Sequence, residues 1–287
     1  YLDKDVTIND VYDIVGKIND LYNEKGYITC RAFLPQQTVI GGGVKLLLVE
    51  GTTGNTTVIG NKNVKSKYIT DRINLTEGEL ANIHDLNKDI LIFNATNSTQ
   101  LRIIMKAGEK PGTTDYELVA YEPKNISWTT LIDNAGSYTS GQYRFGLFMN
   151  TKSLSGHGDS LSLGTILSEG TKAANAYYSR SIGHSGTKLN LLYSTNSVKT
   201  TEGVWKDSIK GHANSYGIGV TQPLYVDEYM RSELSFEYNH QNSKSDLARQ
   251  GIRFNIVDDT VKDFTLAYAQ TDYGHSHIIY QKHSYVF

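Results

Sequence analysis

The sequence predicts small α/β modules followed by a long antiparallel β-sheet of the membrane-spanning barrel kind. Three observations predict it. Helical periodicity is confined to residues before Pro123, and beyond it segments of about ten residues alternate apolar and polar side chains. No apolar run approaches the roughly 18 residues that a spanning helix requires, so only the strand route into a bilayer stays open. The stretch LIDNAGSYTSGQYRFGLFMN, residues 131–150, marks the change: Tyr143, Phe145, Leu147 and Met149 share one strand face, opposite Gln142, Arg144 and Gly146.

The first third reads as two related units. From Thr7 the residues Ile8, Val11, Tyr12, Val15, Ile18, Leu21 and Tyr22 recur at helical spacing. Thr7 and Asp10 suit the amino end of that helix and Gly26 its end. Strands are expected at Tyr27–Leu34 and Val44–Glu50. The GGG at 41–43 is read as a flexible turn, because no Lys-Ser/Thr pair or helix follows it as a phosphate-cradling loop requires. The pattern then recurs: a strand at Thr57–Ile59, a helix at Val64–Arg72, a second helix with Leu80, Ile83, Leu86, Ile90 and Phe93, and strands at Leu101–Lys106 and Tyr116–Ala120 around the turn KPGTT. Thr76 and Glu79 are expected to form a capping box for the second helix. The first unit lacks the opening strand and helix of the second, and the chain starts at Tyr1, so it is read as cut at its front.

Beyond Pro123 up to ten strand segments are expected, at about 126–135, 141–152, 159–168, 173–183, 186–198, 211–222, 228–241, 248–258, 262–272 and 276–287. On 228–241, Met230, Leu234, Phe236 and Tyr238 oppose Arg231, Glu233, Glu237 and Asn239. On 186–198, Leu189, Leu191 and Tyr193 oppose Lys188 and Asn190. A soluble sandwich also alternates. Three features favour lipid: strands longer than the globular norm of about five or six residues, aromatic residues near strand ends (Trp128, Tyr225, Tyr229, Tyr238, Tyr273), and opposite charges on the second face, as a watery interior requires.

Composition excludes other classes. The 28 Lys plus Arg nearly balance 30 Asp plus Glu, which argues against nucleic acid as a main partner. Tyr outnumbers Phe, 20 to 8, which suits surfaces wet at one end and apolar at the other. Cys30 is the single cysteine, so there is neither a disulfide framework nor a thiolate zinc cage, and it is expected to be a small buried hydrophobe. His275 and His277 lie two apart but are too few for a metal site. Sequons at Asn55, Asn74, Asn94, Asn97 and Asn125 are read as chance in an Asn- and Thr-rich chain. No nucleophile elbow or other hydrolase motif is present, so no enzyme, cofactor or metal is expected.

GYITCRAFLPQQ (26–37), LLLVEG (46–51), AGEKPGTTDYEL (107–118), IDNAGSYTSGQYRFG (132–146) and LSGHGDSLSLG (154–164) occur in one order. Together they resemble the outer-membrane transporters of two-partner secretion, the haemolysin and filamentous-haemagglutinin exporters. The resemblance implies α+β POTRA modules followed by an antiparallel transmembrane β-barrel, sixteen-stranded in the family, of which about nine or ten strands lie here. It divides the chain into a partial POTRA 1 (1–50), POTRA 2 (51–121) and the amino-terminal part of the barrel (122–287). It implies capture of an unfolded exoprotein through its amino-terminal secretion domain and its export without ATP. The partner would be an adhesin, haemolysin or contact toxin. The place would be the Gram-negative outer membrane, with the POTRA modules in the periplasm. The family's VRGY-type loop motif has no counterpart here, so no residue role is carried over from it. The terminal HSYVF resembles the end signature of many outer-membrane barrels, but with the cut front the chain is read as truncated at both ends.

Arg31, Phe33 and Gln37 are candidates for contact with the exported chain, against the alternative that they build the sheet and its turn. Arg144, Arg231, Glu233, Glu237 and Arg253 are candidate pore-lining groups, against the alternative of mutual pairing for stability. Exposed sheet edges in the first third are a further candidate, because an extended peptide can add to them as a strand. A barrel-assembly factor of the same superfamily and a soluble periplasmic β-rich binding protein are the alternative functions.

Overall fold

A computed structural model describes residues 6–39, 41–249 and 251–287 of the chain. The chain divides into two compact units. The first comprises Tyr1–Asn61, Ser66–Phe93 and Gln100–Tyr121, and the second Lys62–Lys65, Asn94–Thr99 and Glu122–Phe287.

In the first unit helix α1 (Ile8–Glu24) begins at Thr7, whose Oγ accepts the Asp10 N–H while Asp10 accepts the Thr7 N–H, the reciprocal box expected. It ends at Lys25, and Gly26 takes φ +83°, a conformation cheap only for glycine. Strands β1 (Cys30–Phe33) and β2 (Leu47–Glu50) form a separate antiparallel pair, shorter than expected because residues 27–29 turn back, with the Cys30 N–H on the Tyr27 carbonyl. Cys30 is buried as expected, and that burial pushes its thiol pKa up.

The other sheet of this unit holds β3 (Thr52–Ile59), β4 (Gln100–Ala107) and β5 (Thr113–Tyr121) in the order β3-β5-β4, with β3 parallel and β4 antiparallel to β5. Helices α2 (Ser66–Thr70) and α3 (Ile83–Thr96) complete the β-α-α-β-β unit. Its core is Tyr68, Ile69, Leu86, Phe93, Leu101, Tyr116 and Leu118, with Tyr68 edge-on to Phe93 at 6.0 Å. The capping box expected at Thr76 and Glu79 is not formed. Glu79 closes a turn onto the Thr76 carbonyl and its own carbonyl accepts the Thr53 N–H, fastening the edge of β3. Helix α3 starts later, where Asn82 Oδ1 accepts the His84 N–H. Pairing with a distant strand overrode a local capping preference.

The second unit is one nine-stranded antiparallel meander: β6 (Ile126–Asp133), β7 (Arg144–Lys152), β8 (Ser160–Leu167), β9 (Thr171–Ser181), β10 (Lys188–Lys199), β11 (Ile209–Val226), β12 (Met230–Arg249), β13 (Ile252–Tyr273) and β14 (Ile278–Val286). The ten expected segments become nine because 248–258 and 262–272 belong to the single 22-residue strand β13. Asp258, Asp259 and Thr260, at the expected break between these segments, instead continue the ladder opposite Lys244, Ser243 and Asn242. The true turn falls at Gly251, with φ +79°. The sheet is open. With an odd number of antiparallel strands its edges β6 and β14 run in the same direction, and a bilayer would require both edges to be paired.

Register settles the faces. One side carries Ile132, Phe145 and Leu167 in one row, Leu163 with Met149 and Trp128 in another, and Leu191, Ile218, Tyr238 and Phe264 in a third. Among the described residues no second sheet covers this apolar side within the unit, as a sandwich would need. Among the described residues no helix is long and apolar enough to cross a membrane.

Glu122 holds the short segment Lys62–Lys65 of this unit. Its carboxylate accepts the N–H groups of Lys62, Asn63 and Val64, each at 2.9 Å, and the Asn63 side-chain amide at 2.7 Å.

Candidate functional site: a strand edge and a polar sheet face

In the first unit β1 alternates in burial. Cys30 and Ala32 face α1, while Arg31 and Phe33 are exposed, beside their register partners Val49 and Leu47 on β2. Two of the three contact candidates therefore share one exposed face. Gln37 does different work: its amide donates to the Lys45 carbonyl and accepts the Lys45 N–H, both at 2.7 Å, closing the loop between the strands as one rung of a ladder would. The free edge of β1 is closed too. Asn19 on α1 accepts the Ala32 N–H at 2.7 Å and donates to the Ala32 carbonyl at 3.2 Å. Sequence reasoning missed Asn19, whose only signal is a polar residue beside the apolar stripe of α1. The edge of β2 remains, since no other strand pairs with it among the described residues. Ala32 turns its backbone groups away from β2, so its partner Leu48 turns its own groups outward, and Leu48 is 51% exposed.

In the second unit the side opposite the apolar rows is polar. Arg144 forks onto Asp133 across the β6–β7 pair, Nε to Oδ1 at 2.8 Å and Nη2 to Oδ2 at 2.9 Å. Arg231 donates to Glu233 at 2.7 Å and, through Nη1, to the Ala95 carbonyl at 2.6 Å. Glu237 lies on the same face over Gly219, whose missing Cβ leaves room for it. Lys188 and Tyr177 join them: the Lys188 charge interacts with Arg231 and Glu233, and Tyr177 with Glu237 and Glu233. Tyr177 and Ser179 also donate to Asn190, which donates to Thr221 at 3.0 Å. Of the five expected lining groups, Arg231, Glu233 and Glu237 cluster and Arg144 sits in its own ion pair. Arg253 stands apart, beside the Gly251 turn at the far end of β13. Asp133 and Lys188 were legible in principle, as charges at polar positions of the strand alternation.

The turn SGHGD brings Ser155, His157 and Asp159 together in one hydrogen-bonded loop. Asp159, almost fully buried, accepts from the Ser155 N–H and Oγ, the His157 N–H and the Tyr178 hydroxyl, and the Ser155 Oγ also lies 3.1 Å from His157 Nδ1. Burial raises the Asp159 carboxyl pKa, but these hydrogen bonds outweigh it and hold the group below the ordinary carboxylate range. It is a turn scaffold.

Residues 1–51 match the family model described as POTRA domain, ShlB-type. The heme/hemopexin transporter protein HuxB of Haemophilus influenzae is 25% identical over 246 residues, covering 84% of this chain and 44% of HuxB. The outer membrane transporter CdiB of Dickeya dadantii is 25% identical over 142 residues, 50% of this chain and 25% of CdiB. This chain is a homologue of the two-partner-secretion outer-membrane transporters. It spans less than half the length of these curated relatives. The solved CdiB from Escherichia coli superposes with TM-score 0.67 at 17% identity, covering 98% of this chain and 54% of CdiB. BamA from Haemophilus ducreyi superposes with TM-score 0.51 at 13% identity, covering 100% of this chain and 59% of BamA. The homologue thus has the fold of these proteins: a POTRA module and the antiparallel sheet of an outer-membrane barrel.

Proposed function

We propose that this chain serves an outer-membrane translocator, receiving an unfolded exoprotein on its POTRA modules and passing it across the membrane along the polar face of the sheet. The modules are taken as a partial POTRA 1 (1–50) and POTRA 2 (51–121), in the periplasm, with the barrel part from 122 onward. The observation that carries this reading is the register-matched separation of faces over nine strands: an apolar side suited to acyl chains and a polar side suited to water. Arg144 is neutralised by Asp133 and Arg231 by Glu233, so much of the charge on the polar wall is paired. An extended segment of the exoprotein would pair with the β2 edge at Leu48, with Arg31 and Phe33 reading its side chains from the exposed face. No chemical step is required, consistent with homologues that are transporters.

Deleting the encoding gene and comparing culture supernatants tests the reading. The expected result is the disappearance of a large secreted protein, restored by complementation. A general fall in outer-membrane barrel proteins would instead support the assembly-factor alternative, which the BamA superposition keeps in view. An unchanged secretome and outer membrane would overturn both.

A further inference from the structure

The apolar side of β9–β13 ends in a row of rings, and what lies beyond it is basic. Tyr193, Tyr216, His240 and Lys262 are register neighbours, with the two tyrosine rings 5.3 Å apart. One step lie Thr195, Asn214, Asn242 and Thr260, and after them Lys172, Ser197, His212, Lys244 and Asp258. Lys199, Lys210 and Asp246 follow. All project from the face that carries Leu191 and Ile218, because strand residues two apart share a face. Two of the five lysines are paired, Lys199 with Asp207 at 2.5 Å and Lys244 with Asp258 at 3.3 Å. Lys172, Lys210 and Lys262 make no ion pair within 4.0 Å among the described residues, and all three are exposed. At the opposite end of the same strands this face carries Arg180 and Asp272, which balance.

The two rims therefore differ in charge, and the basic one lies at the end away from the chain's entry at Glu122. We propose that this band binds the phosphate groups of an anionic glycolipid in the outer leaflet. Rings at the hydrocarbon boundary would take the upper acyl and sugar region, and the unpaired ammonium groups just beyond would take the phosphates. The proposal rests on the membrane-barrel reading, because only then do these lysines meet headgroups.

The test uses the protein reconstituted in three sets of vesicles: phosphatidylcholine alone, and phosphatidylcholine with phosphorylated or with dephosphorylated lipid A. Insertion is read separately, by heat-modifiable gel mobility. The wild type should retain phosphorylated lipid A and not the dephosphorylated form. The combined variant K172A/K210A/K262A should weaken retention on the order of 100-fold, while K172R/K210R/K262R should keep it. Equal retention by the alanine variant, or of both lipids by the wild type, overturns the proposal while leaving the barrel intact. Displacement of the lipid by millimolar inorganic phosphate would assign the site to the free ion and also overturns it. Failure to insert into any vesicle would count against the barrel reading itself.

Discussion

Asn19 closes the edge of β1 by clasping both backbone groups of Ala32, its Oδ1 on the N–H at 2.7 Å and its Nδ2 on the carbonyl at 3.2 Å. A side chain from α1 thereby takes the place of a third strand. Asn19→Leu, which fills space but pairs with nothing, should destabilise the first unit by about 1–3 kcal/mol, because both Ala32 groups lose their partner. Urea unfolding followed by circular dichroism measures this. An unchanged midpoint would mean that water satisfies Ala32 equally well.

Phe33 and Gln37 should separate in function. Phe33→Ala removes an exposed ring and should weaken exoprotein binding about fivefold or more with no loss of stability. Gln37→Ala removes two hydrogen bonds across the loop and should lower stability by about 1–2 kcal/mol. Calorimetric binding and thermal melts on the same variants check both, and a Phe33→Ala protein that binds normally removes that residue from the capture surface.

Leu234 and Ser235 are neighbours in sequence on opposite faces of β12. Leu234 pairs with Gln222 and Tyr268 on the apolar side, and Ser235 with Thr221 and Ala267 on the polar side. Leu234→Arg should cost about 2–4 kcal/mol of insertion near the bilayer midplane, and Ser235→Arg far less. Heat-modifiable mobility after outer-membrane fractionation measures the difference. Equal behaviour of the two would contradict the assignment of faces.

Glu122 should make the second unit acid-sensitive. Burial raises its carboxyl pKa, but the N–H groups of Val64, Asn63 and Lys62 lower it further, so the folded value lies below the unfolded one of about 4.3. Its stabilising contribution is complete above the unfolded value and is lost as pH falls through the folded value. Glu122→Gln should flatten that acid limb and cost about 1–2 kcal/mol at pH 7 through weaker hydrogen bonds. Melting temperatures of both proteins between pH 3 and pH 7 check the sign.

The faces of the sheet were legible because strand periodicity is two: once Leu234 and Phe236 are assigned outward, Glu233 and Glu237 follow without a structure. The β-α-α-β-β order and the Thr7 cap were legible for the same reason, since both are local patterns. The Thr76–Glu79 turn was not, because its bonds go to Thr53 on another strand. Nor was the length of β13, where Asp258 looks like a turn residue until Lys244 is placed opposite it. Among site residues, Asn19 and Ala95 acquire their roles only through partners distant in the chain, which no single-sequence pattern encodes.

Strands β12 and β13, at 20 and 22 residues, run well past Tyr238 and Phe264, where the apolar rows end. At ~3.3 Å per residue the tip at Gly251 stands roughly 40 Å along the strands beyond that boundary, carried by a paired two-stranded hairpin. On the orientation proposed above, an epitope spliced in there would be displayed to antibodies on living, unpermeabilised cells.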